Sequence, residues 1–102
     1  MKEKFTPGPW KVNEIGQHWN NKSLTHLEVT FGAYGECVCD TVYLRGDANL
    51  IAAAPDLIEA LLRVRAQFSQ AGISPIAGSL NPVEDNFAFI NSAIDKALGE
   101  SQ

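Results

Sequence analysis

Apolar and polar residues follow two different periods along this chain, and the change falls near residue 45. In the first half they alternate. Trp10 to Ile15, "WKVNEI", places Trp10 and Val12, with Glu14, on one side, as a half-buried strand does. "LTHLEVTF" places Leu27, Val29 and Phe31 on one face and His26, Glu28 and Thr30 on the other. "ECVCDTVYL" sets Val38, Val42 and Leu44 against Cys37, Cys39, Thr41 and Tyr43. Between the last two runs, "GAYG" (Gly32–Gly35) supplies glycines able to take the positive φ of a hairpin connection. "GQHWNNKS" (16–23) is rich in turn formers and predicts an exposed loop carrying Trp19. An antiparallel sheet of three or more short strands is expected.

From Arg45 the period becomes helical. Asp47 is the expected N-cap of a short helix reaching about Ala54, followed by a bend. A longer helix then starts at Pro55, a residue tolerated only in a helix's first turn. Leu57, Ile58, Leu61, Leu62, Val64 and Phe68 form its apolar stripe. Residues 69–80 read as a linker that moves or packs as a loop over a neighbour. Asn81 then caps a last helix with Pro82 at its first position, Glu84 completing a capping box and Gly99 stopping it. Phe87 and Phe89 sit about 200° apart on that helix, so one of them is exposed in a monomer, which points to self-association. The fold class is therefore α+β: one domain over 1–102, with sheet at about 10–45 and a helical layer at about 47–99.

With 102 residues the chain affords one compact core. Its formal charge of -4 gives no global field toward nucleic acid or anionic membrane, so direct nucleic-acid binding is not expected. No apolar run reaches the roughly 20 residues of a membrane span, and Met1–Lys4 leads into no signal-peptide apolar region; a cytoplasmic location is expected. Cys37 and Cys39, one residue apart, read as thiols packing as small hydrophobes. With His18 and His26 they offer zinc-type atoms at the wrong spacing, and no metal or cofactor is expected. No phosphate loop, HExxH or EF-hand motif occurs, and no catalytic residue is assigned.

Pro7-Gly8-Pro9 is a stiff approach to Trp10 with little backbone entropy left to lose, so Pro7, Pro9, Trp10 and Pro55 are read as structural anchors, Trp10 docking near "LIAAAP". Together "TPGPW" (Thr6–Trp10), the glycine hairpin, "DANLIAAAPDLIEALL" (Asp47–Leu62) and "AIDKAL" make the chain resemble a family of small accessory proteins of tailed bacteriophages and prophages. The resemblance implies a bacterial host cell and a sheet-then-helices layout, and hands over no catalytic residues. In that setting the expected function is a non-catalytic, oligomeric binding protein. It would sequester a small nucleotide signal of antiphage defence, with Arg45 or Arg63 on phosphate and Trp19, Tyr34 or Tyr43 stacking on a base. The alternatives are an acidic inhibitor that binds a host defence protein, by charge complementarity to a nucleic-acid groove, and an accessory protein without a defence role. Arg63 and Arg65, also about 200° apart, cannot face the same way.

Overall fold

A computed structural model describes residues 5–100; Met1–Lys4 lie outside the described residues. Three strands, β1 (Trp10–Gln17), β2 (Thr25–Phe31) and β3 (Glu36–Val42), precede three helices, α1 (Arg45–Ala52), α2 (Ala54–Gln70) and α3 (Pro82–Ala97). The arrangement is α+β. The sheet is antiparallel throughout, in the order β1-β2-β3. Residue contacts gather into two compact units, Thr6–Asp56 and the chain from Leu57 onward, to which Phe5 belongs.

In the first unit Trp10 pairs with Phe31, Val12 with Val29 and Glu14 with Leu27, so the alternation read from the sequence sets the register. Leu27, Val29, Val42 and Ala48 form the buried cluster, and Trp10, Val12, Ile51 and Ala52 pack against it, which places α1 on the sheet. The Trp10 indole N–H donates to the Thr6 carbonyl at 3.2 Å. A Cβ on Gly8 would lie 3.0 Å from the Pro55 side chain, so the N-terminal approach lies close against that proline. The predicted hairpin stands at Gly32–Gly35, whose two glycines have φ of 75° and 67°.

Two readings need correction. β3 does not alternate cleanly. Its register against β2 shifts between Leu27 and Val29 and again between Val29 and Thr30, and Cys39, expected opposite Val38, packs with it against the core cluster. A bulge opposes two residues to one and turns the following side chains over, which an ideal period of two cannot anticipate. Asp47 is not the N-cap of α1; the helix begins at Arg45 after an extended Leu44, and Asp47 sits in its first turn. There its carboxylate opposes the positive end of the helix dipole without capping a backbone N–H.

In the second unit, Ile58, Phe87 and Ile94 are buried and the Phe68 and Phe87 rings meet edge-on at 5.2 Å. Leu57, placed in the stripe of α2, is exposed. Asn81 caps α3 by accepting from Val83 N at 3.0 Å, with Pro82 at the first position. The capping box is modified: Glu84 accepts from the Ser79 hydroxyl, which in turn accepts from Asn81 N. Gly78 N donates to Asp85 and Ile76 N to the Glu84 carbonyl. Within the stretch read as a linker, 69–80, residues 76–79 are thereby fastened to the first turn of α3. Phe87 is 2% exposed and Phe89 78%, as their 200° separation requires.

Candidate functional site

The helical unit builds its cavity from two polar interruptions of apolar stripes. On α2, Ile58, Leu61, Arg65 and Phe68 recur at helical spacing; on α3, Phe87, Asn91 and Ile94 do the same. Arg65 and Asn91 thus point where the neighbouring turns point, toward the packed face. α2 then ends in a Schellman turn: Gly72, at φ 78°, donates to Ser69 O, and Ile73 N reaches back to Phe68 O. This reversal carries Ile73, Ser74 and Pro75 over the helix end. The result is an open cavity of about 490 Å3 lined by Arg65, Ser69, Ser74, Phe87, Asn91 and Asp95, with the Ile73 turn as one wall.

Its polar groups are under-committed. Arg65 Nη1 stands 4.0 Å from Asp95 Oδ1, an ion pair beyond hydrogen-bond distance. Asn91 Oδ1 is buried without a partner, a state that costs about 1–3 kcal/mol. With the oxygen sealed, the amide nitrogen is the polar end Asn91 has left for the cavity. Chemically the cavity offers a guanidinium, an amide and two hydroxyls as donors, one carboxylate as acceptor, and an apolar wall. That set suits a small molecule whose anionic group meets Arg65.

The residues singled out from the sequence sit elsewhere. Arg45 holds Glu14 at 2.7 Å, and Arg63 holds Glu59 one helical turn away at 2.7 Å. Both guanidiniums are engaged. Trp19 stacks on His18 with ring centroids 5.7 Å apart, and Tyr43 meets His18 edge-on at 4.8 Å and lies 5.8 Å from His26. His18 Nδ1 accepts from Asn20 N and Asn21 N, which fixes the loop beneath Trp19. His26 Nε2 donates to the Asp40 carbonyl at 2.6 Å. Tyr34 lies in the Gly32–Gly35 turn, 92% exposed, at the end of β2 opposite the Trp19 loop. Seven residues of β2 separate the two ends by roughly 20 Å, so Tyr34 cannot stack on the same base as Trp19 or Tyr43.

Cys37 is exposed on β3, and its thiol is pushed up, first by incomplete solvation against the sheet and then by the carboxylates of Asp40 and Glu28. No group of three or more His, Cys, Asp or Glu residues able to hold a metal ion occurs among the described residues. No helix among them is long and apolar enough to cross a membrane.

Sequence reasoning missed Ser69, Ser74, Asn91 and Asp95. Asn91 left a legible signal, a polar residue in line with Phe87 and Ile94. Ser69 and Asp95 follow Arg65 and Asn91 by one helical turn, while Ser74 depends on where the Schellman turn sends the chain. Comparison with curated proteins and with solved structures finds no match. Residues 1–101 match the family described as Salmonella phage P22 protein Y8K6, and the chain belongs to that family.

Proposed function

We propose that this phage protein is a binding protein that takes up a small nucleotide in the helical-unit cavity and releases it chemically unchanged. The observation that carries the reading is the loosely held guanidinium of Arg65: Arg45 and Arg63 each grip a carboxylate at 2.7 Å, whereas Arg65 stands 4.0 Å from its acid. A phosphate can therefore gain bidentate contacts there without first opening a closed ion pair. The cavity's volume lies within the range of small-ligand sites. The family gives a phage setting, in which removal of a nucleotide signal from host defence is the purpose this binding would serve.

Native mass spectrometry and titration calorimetry with a panel of ribonucleotides test it. The expected result is one nucleotide bound per site and recovered intact on denaturation. Arg65→Ala should weaken binding more than tenfold, while Arg45→Ala and Arg63→Ala bind like the parent. Binding lost in Arg45→Ala instead would move the site to the sheet unit.

A second reading has its own observation. Trp19 and Tyr34 on the sheet unit and Phe89 on the helical unit are each largely exposed on a chain of charge -4, and exposed aromatics of that kind suit a protein partner such as a basic host protein. A protein that binds no nucleotide but is captured by a basic host partner would favour it.

A further inference from the structure

Resting on the nucleotide reading, we infer that Asp95 sets the specificity of the cavity, admitting a singly charged phosphodiester beside a ribose hydroxyl and discriminating against a terminal, doubly charged phosphate. Arg65 and Asp95 contribute one positive and one negative charge to the same cavity. A monoanion on Arg65 leaves the site as a whole with one net negative charge. A dianion adds a second charge within a few ångströms of the Asp95 carboxylate, where unit charges repel strongly in a partly desolvated site.

Asp95 is also the one carboxylate among the named lining residues, set among donors: Arg65, the Asn91 amide and the hydroxyls of Ser69 and Ser74. A ligand that satisfies both kinds of group carries its own donor close to its anionic oxygens, at about the spacing of Arg65 from Asp95. In a 3′,5′-phosphodiester of a ribonucleotide the 2′-hydroxyl stands beside the phosphate and supplies that donor; a deoxyribonucleotide lacks it. The side chain of Asp95 takes no part in the cap of α3. The cap of α3 uses its backbone carbonyl, which accepts from Glu100 N, and the carboxylate is about half exposed.

The test compares three probes by calorimetry near pH 7.5: 3′,5′-cyclic AMP, its 2′-deoxy form, and 5′-AMP, whose phosphate is mainly doubly charged at that pH. The parent protein should bind cyclic AMP about tenfold tighter than 5′-AMP and several-fold tighter than the deoxy form. Asp95→Asn, which removes the charge and keeps an acceptor, should abolish the first preference and retain the second. Asp95→Ala should abolish both, with thermal melting confirming that each variant is folded. Equal affinity of the parent for cyclic AMP and 5′-AMP, or preferences unchanged in both variants, overturns the assignment of Asp95 while leaving nucleotide binding in place. Failure of all three probes, and of every other nucleotide, to bind overturns both readings.

Discussion

The sheet unit satisfies its polar groups and the helical unit does not. In the first, Asn13 donates to the buried Thr30 hydroxyl at 2.8 Å, Arg45 holds Glu14, and both histidines are hydrogen-bonded to backbone. In the second, Asn91 Oδ1 has no partner and Arg65 stands off from Asp95. Polar groups committed within a fold contribute to its stability; a sealed oxygen without a partner costs stability, and a cation that stands off from its acid remains available for a ligand. The contrast teaches where to look for function in a chain without a catalytic motif. Arg45, singled out in the sequence for its place before a helix start, proves to be paired with Glu14.

The largest expected effects test whether the units differ in their cores as they do in their sites. Leu27→Ala and Phe87→Ala each empty a buried position and should destabilise by about 2–5 kcal/mol, read from urea denaturation. Equal losses would show that the contrast belongs to the polar groups alone. A smaller and more telling change is Asn91→Leu. Removing the orphaned oxygen should stabilise the unliganded protein by about 1 kcal/mol, raising Tm by roughly 4–8 °C, while nucleotide binding weakens. A variant less stable than the parent would mean that Asn91 supports the fold and would erase the contrast. At the bottom of the scale, Arg45→Ala and Arg63→Ala break exposed ion pairs and should each change stability by less than about 1 kcal/mol, with the difference shrinking further in high salt. A larger loss at Arg45 would make Glu14–Arg45 a structural tie of the sheet unit.

Much of the fold was legible because its signals are local. The Gly32–Gly35 turn, the Asn81 cap with Pro82, and the opposed Phe87 and Phe89 follow from backbone preferences within a few residues. Reading failed where a partner element intervenes. The β3 bulges arise from pairing with β2, and the fastening of residues 76–79, inside the 69–80 stretch, arises from the carbonyl and carboxylates of Glu84 and Asp85. The candidate site was half visible: Arg65 and Asn91 interrupt two apolar stripes, yet a stripe does not say which neighbour it faces.

By itself the sequence determined a short antiparallel sheet followed by helices, the turn and cap positions, and the absence of a strong positive charge. Period, propensity and net charge are properties of the chain that need no partner to exist. Tertiary structure decided the pairing of Arg45 with Glu14 and the meeting of Arg65, Asn91 and Asp95 around one cavity. Those outcomes turn on distances of a few ångströms between residues far apart in sequence, where a shift from 2.7 to 4.0 Å separates a closed ion pair from an available cation.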